Sequence, residues 1–320
     1  MGRILAVGEI VDGSLTKLST EVATLARGLG EAGDRPVEGI VFGADAAAAG
    51  DELARFVATV GIDREVAGTD TVAPLAAALS GMVDDVDVVM LAASPDGRDL
   101  AGTLSALTGL GVLANATGVR WTDDGPVVSM SVFGGKLITE SAFTTGRGII
   151  TVRPNTVTAV PREGAGEIRD VTHGTAPDLP AVELVERIEE GAAAASIDDA
   201  RIIVAGGRGV GSTEGFELIS ELAEALGGAV GATRAAVDSG WIGYSQQIGQ
   251  TGKIVKPALY LALGISGAIQ HKVGMQTAET IIAVNRDPDA PIAEFADMFV
   301  VGDLFEIGRA LLAELQARPG

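Results

Sequence analysis

The sequence predicts an α/β protein of two doubly wound domains, residues 1–196 and 197–320. Three observations predict it. Short β-branched runs alternate with Ala/Leu-rich amphipathic stretches, the pattern of parallel strands joined by crossover helices. A length of 320 residues suits two domains of ordinary size. The polar break Ser196-Ile197-Asp198-Asp199 interrupts the alternation, which then begins again.

In the first domain the β-branched runs predict strands at residues 3–7, 37–42, 86–92, 127–132 and 148–152. Amphipathic spacing predicts helices at 18–28, 51–60 and 71–82, each followed by glycine or acidic turn residues. The β-rich stretch 123–161 reads as antiparallel. Val182, Leu184, Val185 and Ile188 give a helix over 181–195 that closes the domain. In the second domain strands are expected at 201–205, 259–263, 280–284 and 298–301, with a further short one running into Gly231-Ala232-Thr233-Arg234. Helices are expected at 213–226 and 304–315.

Composition excludes several classes of function. The chain has no cysteine, which rules out disulfides, thiolate metal sites and dithiol redox chemistry. Two histidines, His173 and His271, are too few for a His-rich metal centre. A formal charge of −20 disfavours nucleic acid and anionic lipid as partners. The apolar runs are too short to cross a bilayer, and the N-terminal run is broken at once by Gly8 and Glu9, so a first strand and a cytoplasmic protein are expected. Residues 1–200 carry a net charge of −16 and residues 201–320 only −4, so an anionic ligand would be better tolerated by the second domain.

The chemistry-bearing segments lie in that second domain. Gly206-Gly207-Arg208-Gly209-Val210-Gly211 joins a strand to a helix, where backbone N–H groups can meet a phosphate; the same glycines also suit simple tight packing. It is not the G-x-G-x-x-G dinucleotide fingerprint. Ser266-Gly267-Ala268-Ile269-Gln270-His271 follows another strand and is expected to open a helix, offering N–H donors and a hydroxyl; an N-cap serine and a surface histidine are the plain alternative. Gly249-Gln250-Thr251-Gly252-Lys253 resembles a P-loop only superficially, since Gln247 stands where the first glycine belongs and Ile254 follows the lysine. Arg234 could face an anion or form a surface ion pair. Tyr260, Met275 and Phe305 sit inside apolar runs and are expected in the core. No nucleophile triad, paired catalytic carboxylates or metal cluster is evident.

Taken in order, Thr233-Arg234-Ala235-Ala236-Val237-Asp238, Gly249-Gln250-Thr251-Gly252-Lys253, the run Pro257 through His271, Ala283-Val284-Asn285-Arg286-Asp287-Pro288-Asp289-Ala290-Pro291-Ile292 and Val301-Gly302-Asp303-Leu304-Phe305 resemble the α subunit of electron transfer flavoprotein. The first domain resembles that family in length, class and opening strand. The resemblance implies two Rossmann-like domains, the C-terminal one a parallel sheet that binds FAD beside a β subunit. That β subunit would carry AMP or, in a bifurcating complex, a second FAD. Carried over by position, Arg208, Thr233, Ile248, Gly249, Gln250, Thr251, Ser266, Gly267, Ala268, Ile269, Gln270, His271, Asn285, Asp303 and Leu304 would contact FAD. Thr233 and Ser266 would meet the pyrophosphate, and Asn285 and Asp303 the adenosine half. Thr251, Arg234 and His271 would surround the isoalloxazine, with His271 as a hydrogen-bond donor, more so if protonated, stabilising negative charge there. The implied function is an electron carrier, without bond-making catalysis, between flavoprotein dehydrogenases such as acyl-CoA dehydrogenases and a membrane quinone oxidoreductase. An NADP-binding hydride-transfer protein and a non-redox binding subunit are the alternatives. Three positions depart from the family pattern: Thr233 replaces serine, Lys272 an apolar residue and Met298 a tyrosine.

Overall fold

A computed structural model describes residues 2–66, 71–133, 137–173 and 200–317, with isolated positions 177, 179, 182, 185, 186 and 197. The chain separates into two compact units, Met1–Arg187 and Ile188–Gly320. The helix expected over 181–195 and the expected boundary after residue 196 fall almost wholly outside the described residues.

The first unit contains β1 (Arg3–Val7), β2 (Ile10–Val11), β3 (Ser14–Leu15), α1 (Lys17–Gly33), β4 (Val37–Phe42), α2 (Ala46–Leu53), β5 (Thr59–Asp63), α3 (Val72–Ser80), β6 (Val86–Ala92) and α4 (Pro95–Thr108). It continues with β7 (Gly111–Thr122), β8 (Gly125–Val132), β9 (Leu137–Ala142), β10 (Gly148–Val152) and β11 (Glu167–Asp170). Nine strands form one mixed sheet in the order β11-β5-β4-β1-β6-β10-β7-β8-β9. Because side chains alternate across a strand, Leu5, Val89 and Ile149 pack with Leu79, Leu100 and Leu104 of α3 and α4 on one face. Ile4, Val88 and Ile150 pack with Val22, Ala26 and Leu29 of α1 on the other. This is the doubly wound arrangement that the sequence predicts.

Four local differences have physical reasons. The helix expected at 51–60 ends at Leu53, and β5 begins at Thr59, where buried Val60 and Ile62 complete the sheet core. Helix α4 was not expected, because it opens on the turn-like Pro-Asp-Gly-Arg. It starts because the Ser94 hydroxyl accepts from the Gly97 N–H at 2.9 Å and Pro95 occupies the first turn. Strand β7 lacks a clear apolar period and is irregular around Asn115, whose φ is +60°. In the stretch 123–161, β8 and β9 are antiparallel to their neighbours, but β10 runs parallel to both β6 and β7.

The second unit contains β12 (Ile202–Gly206), α5 (Gly215–Ala225), β13 (Ala229–Ala232), α6 (Arg234–Asp238), β14 (Leu259–Leu263), α7 (Ile269–Met275), β15 (Thr280–Asn285), β16 (Met298–Val301) and α8 (Leu304–Ala317). Its five strands are all parallel, in the order β13-β12-β14-β15-β16. Ile203, Tyr260 and Ile281 face Met275 and Ile292. Val204, Leu261 and Val284 face Phe216, Ile219 and Leu222 of α5 and Leu304 of α8. Among the described residues, no helix is long and apolar enough to cross a membrane and no group of His, Asp and Glu is placed to hold a metal ion.

Leu104 is fully buried between α4 and the nine-stranded sheet. Leu104→Ala removes that contact and leaves a cavity, so the first unit should lose about 2–5 kcal/mol of stability. Urea unfolding of the variant beside the parent measures it, and a change under about 1 kcal/mol would contradict the packing described.

Candidate functional site

The chain leaves β12 for β13 on one side and then returns to β14 on the other, so the sheet's direction of winding switches between β12 and β14. In open α/β sheets, ligands bind at the carboxyl ends of the strands beside such a switch. Here that place opens into a cleft of about 700 Å³, within the range of small-molecule sites. Its walls come from the turns after β12, β13, β14 and β15 and from the 247–253 segment.

Close backbone approach at the switch is what requires the glycines. The Gly207 N–H donates to the Leu263 carbonyl and the Gly209 N–H to the Gly264 carbonyl, both at 3.0 Å. A Cβ on Gly207 would lie 2.4 Å from the Gly264 oxygen. The glycine turn therefore packs against the neighbouring turn, with these two N–H groups spent inside the protein, and leaves Arg208 exposed on the cleft wall.

After β14 the chain turns through Gly267, whose φ is +87° and whose Cβ would come 2.4 Å from the Ile292 nitrogen. The Ile292 N–H donates to the Ser266 carbonyl at 3.0 Å, which holds exposed Ser266 on the cleft. Helix α7 begins only at Ile269, with Ala268 at its cap. Ser266 and Gly267 thus precede the helix rather than opening it, and the expectation that their N–H groups serve as helix-terminal donors is corrected.

The 247–253 turn is tied down at several points. The Gln250 N–H donates to the Gln270 carbonyl at 2.7 Å, and the Lys253 N–H to the Gln247 carbonyl at 2.8 Å. The Gln247 amide donates to the Thr251 hydroxyl at 3.1 Å. Because that hydroxyl already accepts, its own proton is left for another partner. Asn285, at the end of β15, donates to the Ile265 carbonyl at 2.9 Å and accepts from the Asp287 N–H at 3.0 Å. In contrast, Thr233 is buried, and its Oγ1 is a buried polar atom without a hydrogen-bond partner. Such an atom is costly unless something outside the chain satisfies it.

The family model described as electron transfer flavoprotein FAD-binding domain matches residues 196–276, and the electron transfer flavoprotein domain model matches residues 4–176. The electron transfer flavoprotein subunit alpha of Mycobacterium leprae (strain TN) is 41% identical over 332 residues, with both chains covered completely. Its counterpart in Bacillus subtilis (strain 168) is 36% identical over 98% of this chain and 97% of that one. The counterpart in Paracoccus denitrificans is 34% identical over 98% and 99%. The chain belongs to the electron transfer flavoprotein α-subunit family.

The residues of the cleft fit the FAD that the family's domain is described as binding. A buried hydroxyl at Thr233 is left without a partner, close-packed turns at Gly249 and Gly267 line the same cleft, and exposed Arg208 and Arg286 stand on its walls. Of the positions carried over from the flavoprotein family, all but three line it. Ile269 is exposed and lies outside the lining. Asp303 and Leu304 line a smaller adjoining pocket of about 50 Å³ with Asn285. There the Asp303 carboxylate accepts from the Phe305 and Glu306 N–H groups, at 2.8 and 3.2 Å, and so caps α8, while Leu304 packs into the core. Sequence reasoning gave no role to Arg286, although its place just after the end of β15 was the available signal. Lys272, unusual for the family, puts its ammonium 4.6 Å from the centre of the Phe295 ring. Met298 is exposed, and nothing in the structure explains its replacement of tyrosine.

Of the two readings of Arg234, the surface ion pair is present: Arg234 pairs with Asp238 at 3.2 Å while it lines the cleft. His271 is buried and both ring nitrogens are engaged: Nδ1 lies 3.0 Å from the Ile248 carbonyl and Nε2 lies 2.9 Å from the Tyr260 hydroxyl. A nitrogen facing a carbonyl must donate, so Nδ1 carries the proton and Nε2 accepts from Tyr260. Burial pulls the His271 pKa down from 6.5 to about 4, the hydrogen bond to Ile248 opposing. Burial and this pairing favour the neutral ring in the chain by itself. Tyr260 and Met275 are buried core residues as expected, and burial pushes the Tyr260 hydroxyl's pKa up.

Between pH 6.5 and about 4 the unfolded chain takes up a proton at His271 that the folded chain refuses. Stability contributed at this site is therefore present above that window and lost as the pH falls through it, by about 3 kcal/mol at most. His271→Gln removes the titrating group, so the loss of stability between about pH 7.5 and pH 4.5 should be smaller in the variant than in the parent. Urea unfolding at both pH values makes the comparison, and equal losses would count against a neutral buried histidine.

Proposed function

We propose that this cleft holds FAD and that the chain pairs with an electron transfer flavoprotein β subunit as a heterodimeric carrier. The carrier would take electrons from flavoprotein dehydrogenases, such as acyl-CoA dehydrogenases, and pass them to a membrane quinone oxidoreductase. It would work in the cytoplasm, without bond-making catalysis, and the β subunit would hold AMP or a second FAD. The observation that carries the reading is the buried Thr233 hydroxyl without a partner, in a cleft at the switch point of a parallel sheet. The match of the FAD-binding domain model to residues 196–276 supports the same reading.

Bound FAD supplies the redox chemistry, and the protein's part is to bind, orient and insulate it. Arg208 and Arg286 would offset the two phosphate charges, and the Thr233 and Ser266 hydroxyls would hold the pyrophosphate. Thr251, oriented by Gln247, would offer its hydroxyl proton to the bound ring system. Asn285, fixed at both ends of its amide, keeps the turn after β15 in register with the one after β14. Gly249 and Gly267 let backbone rather than side chain form the nearby walls.

Co-expression with a β subunit should give a yellow complex that releases FAD on denaturation. A colourless complex would overturn the assignment. Thr233→Val keeps the side chain's shape and removes only the hydroxyl, so FAD should bind about tenfold more weakly, or about 1.4 kcal/mol. The FAD-free protein should be no less stable. Fluorescence titration and thermal unfolding read the two quantities, and unchanged affinity would remove Thr233 from the site.

A further inference from the structure

Thr233 stands where the family pattern has serine, and it is the N-cap residue of α6. At that position serine and threonine ordinarily spend the hydroxyl on a backbone N–H of the helix's first turn. Two caps in the first unit do so. Thr16, with φ −70° and ψ 147°, accepts from the Ser19 N–H at 3.3 Å, and Ser94 accepts from the Gly97 N–H at 2.9 Å. Thr233 has nearly the backbone of Thr16, with φ −77° and ψ 155°, yet its hydroxyl makes no cap. The equivalent N–H, that of Ala236, donates to the Thr233 carbonyl at 3.0 Å, and the hydroxyl is left orphaned. Surroundings separate the two threonines. Thr16 is half-buried, whereas Thr233 is 9% exposed, directly after fully buried Ala232 and one turn before fully buried Ala236. Its own N–H is tied to the Gly206 carbonyl of β12 at 3.0 Å, so the backbone cannot move aside.

We propose that the Thr233 methyl group preorganises the cofactor cleft: enclosed in the turn after β13, it bars the rotamer in which the hydroxyl would cap α6, and so keeps that hydroxyl for the bound ligand. The hydroxyl and methyl of threonine turn together about one bond, so a capping rotamer swings the methyl to a new place. At half-buried Thr16 there is room for it. At Thr233 the closed turn has none to give without overpacking. This accounts for a buried hydroxyl that stays unpaired, at a cost, although the backbone is set for a cap. Serine carries no methyl, so its hydroxyl would turn to the Ala236 N–H while the cleft is empty and would have to leave it for the cofactor. The apparent affinity is then reduced by the fraction of molecules in which the hydroxyl is free. Threonine gives up a helix cap and keeps the ligand's hydrogen bond in waiting.

The inference rests on the reading of the cleft as an FAD site, and the test separates the two. Thr233→Ser keeps the hydroxyl and removes the methyl; Thr233→Ala removes both and is the reference for the lost methyl. In the heterodimer, the FAD dissociation constant of Thr233→Ser should rise about fivefold over the parent, the competition expected from an ordinary cap. With FAD removed, Thr233→Ser should unfold at a higher urea concentration than Thr233→Ala, because its hydroxyl caps α6. A serine hydroxyl that stayed orphaned would give no such gain, since an unpaired buried hydroxyl stabilises nothing. A turn merely loosened by loss of the methyl would weaken FAD binding without that gain. FAD affinity of Thr233→Ser within twofold of the parent overturns the proposal, and so does an FAD-free unfolding midpoint no higher than that of Thr233→Ala. A parent heterodimer that takes up no FAD sinks the cleft assignment instead, and the FAD-free midpoints still decide whether the methyl withholds the cap.

Discussion

The close approach of two turns at the winding switch is the constraint on which the second unit depends. Strands β12 and β14 are neighbours, yet the chain reaches them by way of β13 on the far side. Their following turns lie against one another at the carboxyl edge, and at Gly207, Gly209 and Gly264 the separation leaves no room for a Cβ. Once those turns are locked backbone to backbone, the side chains of Arg208 and Ser266 have only the cleft to face. A glycine-rich turn here builds the wall of a binding site by packing, and charge and hydroxyl groups supply the recognition.

Hydrogen-bond bookkeeping then distinguishes framework from binding groups. Asn285, Gln247, Asp303 and His271 all lie at or behind the cleft, and each spends polar atoms on the protein itself. Those residues hold shape. Thr233 is the reverse case: it is buried, it lines the same cleft and its hydroxyl is unmatched. The neutrality of His271 fits this division. A buried imidazolium would need a counter-charge, whereas a neutral ring between a phenol and a carbonyl is fully paired as it stands.

The parallel strands of the second unit were legible in the sequence because strands covered on both faces are continuous apolar runs bounded by turn residues. The turns were legible as well, since Gly, Ser, Thr and Arg gather where backbone turns sharply and meets a ligand. What could not be read depended on contacts distant in sequence. Strand β7 has no apolar period of its own and becomes a strand by pairing with β10 and β8. The burial and pairing of His271 depend on Ile248 and Tyr260, which lie in other elements, and Tyr260's apolar surroundings gave it only the look of a core residue.

The two units also differ in the charge that lines their crevices. The first has its own crevice, about 480 Å³, at the carboxyl ends of β1, β4 and β6, with Val7, Phe42 and Leu91 on its floor. By fold alone it is an equally good place for a dinucleotide. Its charged lining, however, is Glu9, Asp12, Asp45 and Asp96. Burial raises the Glu9 pKa above the usual carboxylate range, with Asp96 adding to it and a Ser94 hydrogen bond opposing. A phosphate entering there would meet carboxylates in a partly dry site, where repulsion is strong. In the second unit the same topological position carries Arg208, Arg234 and Arg286 beside Asp238 and Asp287, and an unspent hydroxyl. Topology supplies two crevices, and the sign of the side chains at the strand ends decides which of them can accept an anion.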